Sequence, residues 1–288
     1  MQNIFLTTKI YCIMKRYLII IGIFMLFLPQ IQADRGDSVT YAIPRLRLGV
    51  EVGVNLLFEG GINKPPQIRE SRSYYSDGDG DFHCGFVFPS QNFTIFNFGI
   101  KPEYMLNKRF MVSAGARFSF NKAVLNSDRD YFLWKISETE TNTNYVKIKS
   151  ITQKNYYVGV PLEIRFFPSG RDYPVRQYFI VGTALNFLAA SNSEVAFQNI
   201  AMEKYASEVL SQIKEPNLFY GLFYVGAGLK IGKMDKPFGN IEAHFPIATY
   251  GNTESDAFTK MIGYAGFGFR ATLYVPLLKE HQLIYITN

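Results

Sequence analysis

Residues 45–56 read RLRLGVEVGVNL, from Arg45 to Leu56. Every even position is aliphatic: Leu46, Leu48, Val50, Val52, Val54 and Leu56. Every odd position is charged, polar or glycine: Arg45, Arg47, Gly49, Glu51, Gly53 and Asn55. Successive side chains of a strand point to opposite faces, so this is a strand with one apolar and one polar face. It is long beside the roughly five or six residues usual in soluble sheets. Its polar face of Arg, Glu, Asn and Gly suits a wet, hydrogen-bonded interior. Such a strand fits a membrane barrel, with the apolar face on lipid and the polar face in the lumen.

The rest of the chain repeats the design. From about Asn92, Phe96, Phe98, Ile100 and Tyr104 oppose Asn97, Gly99, Lys101 and Glu103, with Pro102 interrupting the ladder and marking a bulge. From Phe110 to Asn121, Val112, Ala114, Ala116 and Phe118 oppose Met111, Ser113, Gly115 and Arg117. Tyr156 to Phe166 places Val158, Val160, Leu162 and Ile164 outside and Tyr157, Gly159, Pro161, Glu163 and Arg165 inside. A fifth strand offers Phe179, Val181, Leu185 and Phe187 to lipid. In a sixth, Phe223, Val225, Ala227, Leu229 and Ile231 oppose Tyr224, Gly226, Gly228 and Lys230. A seventh sets Ile241, Ala243, Phe245 and Ile247 against Glu242, His244 and Pro246. The eighth sets Ala265, Phe267, Phe269, Ala271, Leu273 and Val275 against Gly266, Gly268, Arg270, Thr272 and Tyr274.

The connections between these eight strands alternate in length. Long polar segments cover Glu59 to Gln91, Asn126 to Gln153, Ser191 to Asn217 and, more briefly, Gly251 to Lys260. Short ones cover Leu106 to Arg109, Pro168 to Arg176 and Lys233 to Phe238. Within the third long segment, residues 197–214 have the apolar spacing of a helix of about four turns. Outer-membrane barrels join an even number of strands by short periplasmic turns and long outer loops. The expectation is therefore an all-β, eight-stranded antiparallel up-and-down transmembrane β-barrel over 45–276, with four long outer loops. A soluble carrier barrel would put its apolar face inward instead.

Composition agrees. Aromatics make up 16%, with 26 Phe and 19 Tyr but one Trp, and charged residues 19%. No apolar run beyond residue 33 reaches the roughly 20 residues of a spanning helix. Lys15 and Arg16 precede the apolar run Tyr17 to Leu28, followed by Pro29 and IQA ending at Ala33. A basic start, a short apolar core and a small residue before a polar stretch describe a cleaved signal peptide over 1–33. Met14, directly before Lys15, is an alternative start. Residues 34–44 form a short N-terminal segment and 277–288 a C-terminal tail. Without the leader, 27 basic residues face 24 acidic ones. That balance gives no reason to expect a nucleic-acid partner. Cys84 is then the single cysteine, and one thiol cannot form an internal disulfide.

The runs GVEVGVNL (49–56), VGVPLEIRFF (158–167), QYFIVGTALNF (177–187) and YVGAGLKI (224–231) resemble the signatures of the PorT-like outer-membrane β-barrel family of Bacteroidetes. The resemblance covers roughly 45–276. It implies residence in the outer membrane of a Gram-negative envelope and a link to a protein-export assembly, with outer-membrane lipid and other envelope or secretion proteins as partners. Most members of that family carry no assigned activity.

The expected lumen collects Arg47, Lys101, Arg117, Arg165, Lys230 and Arg270 against Glu51, Glu103, Glu163 and Glu242, with His244 beside them. Eight strands leave room for side chains but not for an open channel. Unpaired buried charge is expensive, so these groups are expected to pair and fill the barrel. The alternative use of the same charges is an ion path or a small-solute site. Glu242 and His244 share one strand face about 7 Å apart, too far for a routine acid–base hydrogen bond. Asp77, Asp79 and Asp81, next to His83 and Cys84, resemble part of a calcium loop but lack the later Glu. No G-x-S-x-G elbow or H-E-x-x-H motif occurs. The reading is a structural or interaction barrel without catalytic residues, cofactor or metal. The alternatives are a lipid-modifying barrel enzyme and a surface adhesion or ligand-binding barrel.

Overall fold

The computed structural model describes residues 46–63, 65–69, 71–76, 82–87, 90–127, 130–138, 143–233, 236–251 and 257–275. The expected signal peptide, the 34–44 segment, Arg45, the Asp77–Asp81 run, the side chains of His83 and Cys84, and the 277–288 tail lie outside the described residues.

Eight strands make the frame: β1 (Leu46–Ile62), β2 (Ser90–Met105), β3 (Phe110–Ala114, continued after Gly115 by Ala116–Asn126), β4 (Thr143–Phe166), β5 (Val175–Phe197), β6 (Phe219–Gly232), β7 (Pro237–Gly251) and β8 (Thr259–Val275). Each pairs antiparallel with the next. β8 pairs with β1 from Leu48↔Val275 to Ile62↔Thr259, which closes the ring. Residues 106–109 and 167–174 are short turns at one end, where Gly232 and Pro237 pair; the strand ends that border the long connections lie at the other. The fold is an eight-stranded up-and-down transmembrane β-barrel.

Alternation sets inside from outside. Val52 is 61% exposed, Phe98 60%, Val181 59% and Leu273 57%, whereas Glu51, Lys101, Glu103 and Lys230 are buried. A soluble barrel has the opposite polarity. An exterior of Val, Leu, Ile and Phe is stable only where lipid replaces water.

Glycine on the inner face makes room for tyrosine. Gly182 lies directly across from Tyr224, and Gly228 across from Tyr178. A Cβ on Gly182 would stand 2.6 Å from the Tyr224 ring, and one on Gly228 2.5 Å from the Tyr178 ring. At the β6–β7 turn, Gly232 has φ +102, a conformation L side chains rarely adopt.

Three sequence expectations need correction. Pro102 does not bulge: it pairs in register with Leu48. The expected interruption is there: the β2–β3 ladder lapses opposite it, between Ile100↔Ala116 and Glu103↔Ser113, and resumes in unchanged register. Proline has no N–H for that ladder, so the gap falls where a bond was already missing. The long loop expected over Asn126 to Gln153 is largely strand. Phe132–Glu138 pairs with the start of β4, and β4 begins at Thr143. There the outward face meets water and carries Lys147, Lys149 and Lys154, so the stretch reads as polar although Val146, Ile148 and Ile151 are buried. The four-turn helix over 197–214 is shorter. β5 runs on to Phe197, a 3-10 turn covers Ile200–Tyr205, and α1 covers Ala206–Gln212. Asn199 caps the turn, its Oδ1 accepting from the Ala201 N–H at 3.0 Å.

These extensions form a head beyond the barrel. Trp134 is fully buried there in an apolar cluster that includes Phe132, Val146, Ile148, Ile68 and Val209, with Met202 and Tyr205 packed against it. Its indole N–H donates to Gln212 Oε1 at 2.7 Å, and Gln212 Nε2 donates to the Ile136 carbonyl at 2.8 Å. The pair ties α1 to the Phe132–Glu138 strand.

Candidate functional site

Period-2 alternation on eight tilted strands turns every second residue into the lumen, and the register brings them to common levels. The middle level holds Glu51 of β1, Lys101 of β2, Arg117 of β3, Glu163 and Arg165 of β4, Glu242 of β7 and Arg270 of β8, all buried. Glu163 is the hub. Its Oε2 lies 3.1 Å from Lys101 Nζ and 2.9 Å from Arg165 Nη2; its Oε1 lies 2.6 Å from Arg270 Nη1 and 3.6 Å from Arg117 Nη2. Tyr224 OH donates to Oε1 at 2.6 Å, and Ser113 Oγ to Oε2 at 3.2 Å. Glu51 takes Arg117 Nε at 2.6 Å, Lys101 at 3.1 Å and Arg270 at 3.4 Å. Glu242 takes Arg270 Nε at 3.0 Å, Arg165 at 3.2 Å and Lys101 at 3.4 Å.

Toward the short turns, Glu103 is the carboxylate of the next level. It receives Arg165, Lys230 Nζ at 3.1 Å and Tyr274 OH at 2.8 Å. Lys230 also donates to Tyr274 OH at 3.3 Å, as does Asn240 Nδ2 at 3.0 Å. Arg47, across from Glu103 in register, is buried at the same level. Met105, Met111, Phe167 and Tyr178 fill the space around these groups.

Toward the long loops the lumen turns neutral and then apolar. His244 does not meet Glu242; its Nε2 pairs with Asn55 Oδ1 at 2.9 Å, and its ring stacks tilted on Tyr224 at 5.4 Å. Ser119 donates to Asn97 at 2.7 Å. Asn155 bridges Ser191 at 2.8 Å and Thr259 at 3.2 Å, and Thr259 reaches Gln153. Above them Phe93, Ile95, Ala123, Leu125, Ile151 and Phe258 are buried together. Tyr157 OH donates to the Asn217 carbonyl at 2.9 Å, stitching the segment after α1 onto this lid.

The structure thus places all eleven residues expected in the lumen there, and ten of them, the charged ones, lie in the two levels just described. Sequence reading left out Arg176, assigned to a short connection. It is the second residue of β5, 3% exposed and inward-facing. Counting back by twos from Ala184, Gly182, Ile180 and Tyr178 reaches Arg176, so the signal was present. Tyr224 and Tyr274, which hydrogen-bond Glu163 and Glu103, were placed inward without a role; hydroxyl donors for carboxylates carry no pattern of their own. Among the described residues, no group of three or more His, Cys, Asp or Glu is placed to hold a metal ion.

No family model and no curated protein matches the chain. Among solved structures, it is similar to Ail, the attachment invasion locus protein of Yersinia pestis, at 14% identity, over 80% of this chain and 97% of that one, with a TM-score of 0.27.

Proposed function

We propose that the chain is an outer-membrane barrel of structural and interaction type, a component of an envelope assembly of the PorT-like kind, with the short turns in the periplasm and the head on the cell surface. The filled lumen carries this reading. A barrel whose interior is occupied by its own ion pairs and capped by apolar side chains has no internal room for a solute. What it offers other molecules is its two ends. The larger is the head, where Ile200 is 79% and Leu218 60% exposed beside the buried Trp134 cluster. The test is the native mass of the protein after gentle extraction from outer membranes, with every co-purifying chain identified. Stable, stoichiometric envelope proteins support the reading. A lone barrel, whose deletion alters a lipid modification, replaces it with the enzymatic alternative.

A further inference from the structure

β5 outruns β6. Its ladder with β4 runs from Phe179↔Phe166 to Phe197↔Ile148, but its ladder with β6 ends at Phe187↔Phe219. One further bond, from the Leu188 N–H to the Leu218 carbonyl at 2.8 Å, ends that side. Beyond it, among the described residues, no strand pairs with 189–197 on the side away from β4. The chain that could have covered this edge is held elsewhere. α1 is tied to Trp134 and Ile136, on the strand that lies beyond β4. The segment after α1 crosses to β4, where the Lys214 carbonyl accepts from Gln153 Nε2 at 3.4 Å and the Asn217 carbonyl from Tyr157 OH at 2.9 Å.

Unpaired sheet edges are ordinarily blunted by proline, lysine, bulges or shortness. Residues 189–197, AASNSEVAF, hold no proline and no lysine. A bulge lies at the root of the edge, between Leu188 and Ala190; from Ala190↔Tyr156 to Ala196↔Ser150 the register with β4 is unbroken. At the usual rise the edge is about 30 Å long. Alternate residues of an antiparallel strand bond to opposite neighbours. Leu188 bonds toward β6, and the extra residue at the bulge reverses the parity. Beyond it, Ser191, Ser193 and Val195 therefore turn their N–H and C=O groups to the open side.

The side chains define what would fit. Ser191 Oγ donates to Asn155 Oδ1 and Ser193 Oγ accepts from Gln153 Nε2, while Val195 and Phe197, on the same face, pack half-covered against the buried apolar cluster. Asn192, Glu194 and Ala196 face the other way and are exposed. An added strand with apolar side chains at every second position completes the cover of Val195 and Phe197. A basic side chain on its other face stands beside Glu194, the one charge of the edge. A second copy in the same membrane does not fit. Both barrels would share one orientation across the bilayer, so both β5 strands would rise from the short turns toward the head, and neither could run antiparallel to the other.

We propose that residues 189–197 form an open sheet edge that takes up an extended polypeptide segment of a partner as an added antiparallel strand, apolar and polar in alternation, with a basic residue beside Glu194. The proposal rests on the reading of the head as the interaction surface and names how that surface binds.

The full chain in lipid nanodiscs is presented to phage-displayed peptides as long as the edge and randomised at every position, and the selected peptides are synthesised. They are expected to alternate apolar and polar residues and to carry Lys or Arg among the polar ones. Methylation of alternate backbone nitrogens of one parity is expected to weaken binding at least about tenfold, and of the other parity to leave it unchanged, because one set of N–H groups meets the edge. Val195→Pro removes an open-side N–H and is expected to weaken the same peptides by a similar factor. Wild-type Trp134 emission shows that its head is folded; where that signal is lost, Val195→Lys, an inward-pointing charge at the edge, takes its place. Selection of no binder, peptides that tolerate methylation at both parities, or peptides that bind wild type and variant alike overturn the proposal. If the edge fails in this way while stoichiometric envelope proteins still co-purify, the reading of the head as an interaction surface stands without it. Edge-dependent peptides for a chain that extracts alone uphold the edge and remove the assembly.

Discussion

Glu163 and Arg270 stand 2.6 Å apart across the barrel axis and join β4 to β8, strands on opposite sides of the ring. Both side chains are almost wholly inaccessible to water, so their charges are met by other side chains and not by solvent. The pair acts as a cross-brace, with Lys101, Arg117 and Arg165 sharing the same carboxylate. Removing one member of a buried network leaves uncompensated charge, which costs more than the net worth of the pair. Glu163→Gln keeps the shape and removes the charge, so it is expected to destabilise the barrel by about 3–5 kcal/mol. Urea unfolding followed by gel mobility measures this. Glu194→Gln, which breaks the exposed 2.7 Å pair with Lys154, is the comparison and is expected to change stability by less than about 1 kcal/mol.

The glycine–tyrosine pairs give a packing prediction on the same network. Tyr224 reaches Glu163 because Gly182, directly opposite, leaves space for its ring. Gly182→Ala pushes a methyl into that ring and forces the hydroxyl off Oε1. Overpacking of this kind is expected to cost roughly 1–3 kcal/mol. The double variant Gly182→Ala with Tyr224→Phe should be less than additive, since the second change removes a bond the first has already broken. Full additivity would separate the two residues.

The lipid face and the lumen face of β1 respond differently to polarity. Val52 is among the most exposed apolar side chains of the band. Val52→Arg near mid-membrane is expected to cost about 2–4 kcal/mol and to block assembly into membranes. Asn55 faces the lumen, and its Oδ1 accepts from His244 Nε2 at 2.9 Å. Asn55→Ser keeps a polar group there and should be tolerated. Equal assembly of both variants would contradict the inside–outside assignment.

The head carries its own reporter, since Trp134 is the chain's one tryptophan and is fully buried. Gln212→Ala removes the acceptor of the indole N–H and the donor to the Ile136 carbonyl. Leaving a buried donor unmet costs about 1–3 kcal/mol. Tryptophan emission is therefore expected to shift to the red at lower denaturant concentration, while the barrel's gel mobility stays as in the wild type. Loss of both signals together would make head and barrel one cooperative unit.

Much of this was legible in the chain because a barrel strand is governed by one local rule. Wherever both faces obeyed it, as in Arg47 to Asn55 or Tyr157 to Arg165, the alternation named strand, register and lumen residues at once. It failed where the outer face left the membrane. Around Lys147 and Lys154 the outer face is polar enough for the stretch to read as loop, yet the strand continues over buried Val146, Ile148 and Ile151. Arg176 was missed at the opposite boundary, where turn residues Pro168 to Pro174 masked the start of β5. Which cation meets which carboxylate was not legible, because it depends on level around the ring, and level is set by register between strands far apart in sequence.

The filled lumen predicts electrical silence. A path for ions would have to cross the apolar lid of Phe93, Ile95, Leu125 and Phe258, then the Glu163 network, then Met105, Met111 and Phe167. Each charged group in the middle level already has a partner of opposite sign, so a passing ion would exchange a matched partner for a transient one. Purified protein in planar bilayers is expected to show no steady conductance. Glu163→Gln, if it assembles, is expected to produce brief openings at most, because the apolar lid remains. Steady single-channel steps from the wild type would mean that the lid swings away in the membrane and would revive the ion-path alternative.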